Sequence, residues 1–234
     1  MICAALVAAL AGQAFAGNFF STEKSDKLFT IGLRAGVNTY NRTIKPEAFP
    51  DCYSHQSWGV GFSGGVVAAL NIRDYLAIQP GFFYESRNGG FTLMGSATGS
   101  GLAEDGSNIA QAGRIRTYNF TIPVMALIRF NVTDNVKWNV EAGPYVSFLL
   151  NSDLTNKKVV TDGPAEFPLF GQDAAGVDFG FKLGTAIELF NHYYVGAHYM
   201  AGMTKGWKDL EIANITKNFG GSVKGWVFTI GYDF

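Results

Sequence analysis

The chain has 234 residues, 47% of them hydrophobic and only 16% charged, which excludes a disordered chain and allows one or two folded domains. A formal net charge of −1 gives no electrostatic case for nucleic acid as a partner. Glycine and aromatic residues are plentiful, with 29 glycines and 15% aromatic residues, which again excludes a disordered chain.

Residues 1–16 read as a signal peptide. The apolar run is short and ends in Ala14-Phe15-Ala16, a small-x-small cleavage pattern. It falls short of the ~20 residues a membrane helix needs. A basic stretch before the run is missing, which departs from the usual pattern. Cleavage leaves Gly17 first and removes Cys3, so Cys52 remains as a lone loop thiol with no internal disulfide partner. Residues 17–26 are polar and form an N-terminal lead-in, expected in the periplasm.

From residue 27 the chain alternates with a period of two, so each segment presents two different faces. Residues 27–40 set Phe29, Ile31, Leu33 and Val37 against Thr30, Gly32, Arg34 and Asn38. A long loop over 41–57, with Pro46 and Pro50, precedes a strand over 58–72. The pair Arg73-Asp74 turns the chain into a third strand over 75–87, with Ile78, Phe82 and Tyr84 on one face and Gln79, Glu85 and Arg87 on the other. Pro80 removes a ladder donor, so a bulge or local break is expected there. Residues 88–113 are rich in glycine and serine and read as a loop. A phosphate cradle is excluded because the Gly-Lys-Ser/Thr ending and the following helix are missing.

The fourth strand covers 114–132, with Tyr118, Phe120, Ile122, Val124, Ile128 and Phe130 on one parity and Arg129 on the other. A turn at 133–135 leads to 136–150, where Trp138, Val140 and Phe148 oppose Lys137, Asn139, Glu141 and Tyr145. A third long loop covers 151–173. The sixth strand, 174–190, sets Phe179, Phe181, Leu183 and Ile187 against Asp178, Lys182 and Glu188. After Asn191-His192 come a seventh strand over 193–203, a last loop over 204–220, and the terminal strand 225–234. There Trp226, Phe228, Ile230, Tyr232 and Phe234 share one face, and Val227, Thr229, Gly231 and Asp233 the other.

Eight strands with alternating long loops and short turns predict an all-β, eight-stranded antiparallel up-and-down transmembrane β-barrel over 27–234. An even strand number puts both termini on one side, the periplasmic side of a Gram-negative cell outer membrane, with the long loops outside. A lipocalin-like soluble barrel has the same strand count, but it would bury the bulky parity and expose the charged one. Here an apolar lumen would have to hold the charged parity, which is costly. The bulky parity is therefore assigned to outer membrane lipids.

The charged parity, Arg34, Glu85, Arg129, Lys137, Glu141, Asp178, Lys182, Glu188 and His198, is expected to form a polar network in the lumen. At least one opposite-charge pair should form among the inward residues. Trp58, Trp138, Tyr193 and Tyr194 are expected to form interfacial aromatic girdles. The aromatic residues Trp226, Phe228, Tyr232 and Phe234 of the last strand are read as an assembly signal for the barrel-assembly machinery. His/Cys spacing of a metal site is absent, and no cofactor is expected. Asn-x-Thr triplets, as at Asn119, are chance matches on a bacterial chain.

The stretch Tyr118-Asn119-Phe120-Thr121-Ile122-Pro123-Val124 resembles the Tyr-x-x-x-Ile-Pro-Leu signature of PorT-like, porin-family outer-membrane barrels of the Bacteroidetes. The segments 76–84 and 178–184 and the terminal Phe-Thr-Ile-Gly-Tyr-Asp-Phe fit the same family. Small barrels of the OmpX and OmpA type have a similar plan. The resemblance implies fold and location, and leaves function open. A structural or surface-interaction role through the extracellular loops, with an unknown partner, is the leading expectation. A narrow small-solute channel is the alternative, using space left by the inward glycines Gly32, Gly36, Gly59, Gly61, Gly65, Gly180 and Gly184. A lipid-modifying enzyme is the least favoured, because it needs an outward histidine near a serine, and His198 has lumen parity while His55 lies in a loop and His192 in a turn.

Overall fold

The computed structural model describes residues 19–43, 52–96, 108–160, 174–206, 210–212, 215–217 and 221–234. The signal peptide reading and the centre of the glycine-serine loop lie outside the described residues. The strands are β1 (Phe29–Arg42), β2 (Cys52–Arg73), β3 (Leu76–Ser96), β4 (Asn108–Thr133), β5 (Val136–Val160), β6 (Val177–Leu189), β7 (Tyr193–Gly202), β8 (Leu210–Ile212), β9 (Ile215–Lys217) and β10 (Val223–Asp233). Eight of them close a barrel in the order β1-β10-β7-β6-β5-β4-β3-β2, and β8 and β9 form a separate two-stranded sheet.

Closure is the step a bilayer demands, since every backbone N–H and C=O in the hydrocarbon must be paired. Strand β10 supplies it. Its register against β1 is continuous from Gly32↔Asp233 to Arg42↔Val223, and against β7 from Tyr232↔Tyr193 to Lys224↔Ala201. The alternation expected from the sequence becomes two surfaces. Trp226, Phe228, Ile230, Tyr232 and Phe234 are exposed on the outside, while Val227, Thr229 and Asp233 are buried inside. The same alternation runs round the ring, so the outer wall is a continuous apolar belt. No described helix is long and apolar enough to cross a membrane.

One expectation about the wall needs correcting and one is met. First, the strands on one side are far longer than the sequence suggests. Strands β2 to β5 have 22, 21, 26 and 25 residues, whereas β1, β6, β7 and β10 have 14, 13, 10 and 11. A membrane strand needs about 9–11 residues. Much of 52–57, 88–96, 108–113 and 151–160 is therefore strand rather than loop, and Cys52 and His55 belong to β2. Glycine and serine weaken a strand but do not forbid one when a neighbour offers its ladder, as Gly90↔Arg114 and Gly95↔Ile109 do. Second, Pro80 causes a local break without a bulge. The β2–β3 register passes from Val67↔Gly81 to Leu70↔Ile78 with no shift, and the bulges lie between Trp58 and Ser63 and between Asn71 and Arg73.

The lead-in is held against the barrel. The Asn131 N–H donates to the Phe19 carbonyl at 3.0 Å, Asp74 N–H to Glu23 at 3.1 Å, and Asn71 N–H to Leu28 at 2.8 Å. The Phe19 ring stacks on Phe130 at 5.2 Å, Phe20 lies 4.3 Å from Tyr75, and Phe130 stacks on Trp138 at 5.2 Å. The segment thus straps the end of the barrel that carries the short turns.

Candidate functional site

The inward side chains fill the lumen in three tiers, running from the short-turn end to the long-loop end. The first tier surrounds an open cavity of ≈180 Å³, whose lining includes Asn71, Asp74, Gln79, Arg129, Lys137 and Glu188. Here Arg129 Nη1 donates to Asn71 Oδ1 at 2.7 Å, and Lys137 Nζ lies 3.6 Å from Asp74 Oδ1.

In the second tier Arg34 grips both oxygens of Asp233 at 2.7 and 3.0 Å. Its guanidinium carbon sits 4.0 Å above the Tyr194 ring. The Tyr194 hydroxyl donates to Glu141, 3.0 Å from either oxygen, and His198 Nε2 lies 2.8 Å from Glu141 Oε2. The Lys182 ammonium lies 5.3 Å from the centre of the Phe83 ring. Among these groups is a cavity of ≈20 Å³, room for about one water.

The third tier is built on Arg87. Its Nε and Nη2 donate to Glu85 Oε2 at 2.9 and 2.7 Å, Nη1 to Asp178 Oδ2 at 3.1 Å, and Nη2 also to Thr121 at 3.0 Å. The Tyr145 hydroxyl donates to the same Asp178 oxygen at 3.0 Å. Tyr40 lies beneath the guanidinium, 4.8 Å from its carbon, and its hydroxyl approaches Met200 Sδ at 2.9 Å. Above this layer Arg42 donates to the Gly206 carbonyl. Apolar residues complete the filling, with Tyr40, Tyr145, Met200, Val223 and Val227 in one cluster and Ala77, Met125 and Leu127 in another.

The expected lumen residues are all inward, but they do not form one network. Glu141 and His198 meet, Glu85 and Asp178 meet through Arg87, and Lys137 reaches Asp74 in the turn. Glu188 remains at the rim of the turn-end cavity. Arg34 pairs with Asp233, which the sequence reading placed on the inward parity without giving it a partner. The signal was available: Asp233 is the only acid in the last strand, and it shares a face with Gly231.

Tyr194 is the clear correction. It was assigned to an aromatic girdle with Tyr193, yet it is 4% exposed inside the lumen while Tyr193 is 55% exposed outside. Adjacent residues of a strand face opposite ways, so the two tyrosines could not share one girdle. Trp138 points outward and donates to Thr185 Oγ1 at 2.6 Å, and Trp58 is exposed beside the β2 bulge.

Of the glycines expected to leave open space, Gly36, Gly59 and Gly61 lie close against a neighbouring strand's backbone, and three others make room for side chains. A Cβ on Gly32 would strike the Asp233 carboxylate and Arg34, one on Gly184 the His198 ring, and one on Gly180 the Tyr145 hydroxyl, 2.7 Å away. His198 Nε2 bonds to Glu141 and Tyr194 inside the lumen. Among the described residues no group of His, Cys, Asp and Glu is placed to hold a metal ion.

Residues 15–205 match the family model described as an outer membrane protein beta-barrel domain. The chain belongs to this family. The family places the barrel, with its belt of exposed apolar residues, in the outer membrane. Among curated proteins none matches the sequence. Solved structures similar to this outer-membrane barrel include OprG from Pseudomonas aeruginosa, at 12% identity, covering 92% of this chain and 99% of that one with a TM-score of 0.46. Ail of Yersinia pestis shares 11% identity over 89% of this chain and all of that one, with a TM-score of 0.41. Neisserial surface protein A shares 11% over 87% and 95%, with a TM-score of 0.41.

Proposed function

We propose that this chain is a closed outer-membrane barrel that acts by surface contact through its long-loop end, and that its lumen does not conduct. The observation that carries the reading is the Arg87 layer, which joins β3, β4 and β6 across the lumen through Glu85, Thr121 and Asp178. A small-solute channel needs a continuous path. The second tier offers a cavity of only ≈20 Å³, and Gly32, Gly184 and Gly180 are covered by Asp233, His198 and Tyr145. The side chains fill the interior as an eight-stranded barrel permits.

In this reading the signal peptide over 1–16 is removed on export, both termini lie in the periplasm, and the extended sheet of β2 to β5 stands outside the cell. Binding residues concentrate on such projecting elements because they tolerate variation while the barrel holds them. The finer resemblance to PorT-like barrels of the Bacteroidetes, carried by Tyr118, Ile122 and Pro123, belongs to the same reading. An enzymatic role is not part of this reading, in which His198 serves Glu141 and Tyr194 inside the lumen. Planar-bilayer recording tests the closed lumen: the protein should show no steady conductance, and stable unitary currents would establish the channel instead. Capture on intact cells with the full-length barrel tests the surface role. Equal capture by a barrel with the 161–173 segment replaced by a glycine-serine linker of the same length would remove that loop from it.

A further inference from the structure

On the outer face of β4, from Phe130 up to Tyr118, the side chains are only apolar or aromatic. That run is about 12 residue steps, which at ~3.4 Å per residue and a tilt of about 40° rises ~30 Å, the height of a lipid-facing band with its girdles. Tyr118 marks the upper end and stacks with Tyr84 of β3, ring centres 6.1 Å apart and planes 15° apart. The next two residues of the same face are Arg116 and Arg114. Both are exposed, and neither makes an ion pair with a described residue. They stand roughly 5 and 10 Å above Tyr118 on the same geometry, within and at the outer edge of the headgroup layer.

The neighbours of this pair are known from the register. Arg116 lies between Asn88 and Asp153, and Arg114 between Gly90 and Thr155. One carboxylate beside two guanidinium groups leaves a net positive charge. Gly90 and Thr155 leave the approach to Arg114 from the lipid side low. A guanidinium offers a planar fork of donors that suits phosphate oxygens, and it binds them better at a water–lipid boundary than in bulk water.

We propose that Arg114 and Arg116 hold the phosphate of a lipid headgroup in the leaflet at the long-loop end, with the Tyr84–Tyr118 pair against the acyl–headgroup boundary. The site lies on the outer wall, independent of the lumen and of whatever the loops contact. It fixes the barrel vertically and gathers a shell of phosphorylated lipid under the projecting sheet of β2 to β5.

The test uses the full-length barrel in neutral detergent, titrated with diphosphoryl lipid A, phosphatidylglycerol or phosphatidylcholine and read by native mass spectrometry. Lipid A should bind best and phosphatidylcholine least. The double variant Arg114→Gln/Arg116→Gln should weaken lipid A binding on the order of tenfold, while Arg114→Lys/Arg116→Lys recovers part of it. Lys224→Gln, on the far side of the barrel, should change nothing. Heat-modifiable gel mobility confirms that each variant is folded. Unchanged lipid A binding in the folded double variant would overturn the proposal. So would equal binding of phosphatidylcholine, or displacement of lipid A by inorganic phosphate at matched concentration. Bilayer conductance is a separate measurement, so a channel would not count against this site.

Discussion

Replacing Arg87 with methionine isolates the role of the central layer. Methionine replaces the aliphatic stem, is shorter by the guanidinium group and carries no charge, leaving Glu85 and Asp178 buried without their shared counter-charge. Four hydrogen bonds go with it, three to carboxylate oxygens and one to Thr121. Breaking a buried pair by removing one partner costs about 3–5 kcal/mol, most of it the penalty of the stranded charge. With a urea slope of about 2 kcal/mol per molar, the midpoint should fall by roughly 2 M. Urea titration of the barrel refolded in lipid vesicles, followed by tryptophan emission and gel mobility, gives this shift directly. The companion variant Glu85→Gln/Arg87→Met/Asp178→Asn removes all three charges and should recover most of the loss, because neutral side chains of similar volume replace a buried triad at little net cost. If the triple variant is as unstable as the single one, the loss comes from packing around Tyr40 and Tyr145 and the charge argument fails.

Phe234→Ala should cut insertion in cells far more than it lowers stability after refolding in detergent, since the half-exposed ring contributes about 2 kcal/mol at most; equal losses in both assays would remove the assembly-signal role. Phe19→Ala/Phe20→Ala should release the strap from Phe130 and Tyr75. A cysteine placed at buried Ala69, which lines the turn-end cavity, should then react with a maleimide several-fold faster than in the parent barrel. Gly184→Ala should cost at least about 1–3 kcal/mol, because a methyl group there meets the Ala197 carbonyl as well as the His198 ring, so adding His198→Ala should relieve only part of the loss in a double-mutant cycle on urea midpoints.

The wall of the barrel is legible in the sequence because lipid and lumen impose opposite demands on adjacent residues. Ile31 and Leu33 against Gly32 and Arg34 fix a face with no knowledge of the neighbouring strands. The lumen is less legible because its contacts cross from strand to strand. Arg34 meets Asp233, 199 positions away, and Arg87 meets Asp178, 91 positions away. Parity puts each of them inside, yet the pairing depends on register and stagger, which no single strand encodes. The extensions of β2 to β5 were hidden for a different reason. Phe91 and Ile115 are buried on one face there, but residues such as Gly89, Gly90 and Ser96 carry too little side chain to show the alternation, and they look like loop.

The buried charges have a role that stability alone does not explain. A slip of one residue in a strand's pairing turns its whole inward set outward. In β1 that slip carries Arg34 into the lipid, and in β6 Lys182. An arginine or lysine at the bilayer midplane costs about 2–4 kcal/mol, so each slip is opposed by one cation before any hydrogen bond is counted. Asp233 does the same for β10, the strand that must find β1 last. Its pairing with Arg34 sits at the Gly32↔Asp233 end of the seam, where closure fixes the register of the remaining ladder. An all-apolar lumen would fill the same volume, but then both faces of every strand would suit lipid, and nothing in the side chains would distinguish the correct register from its neighbour. The ion pairs of the lumen thus select one closed barrel from several that the apolar belt alone would accept.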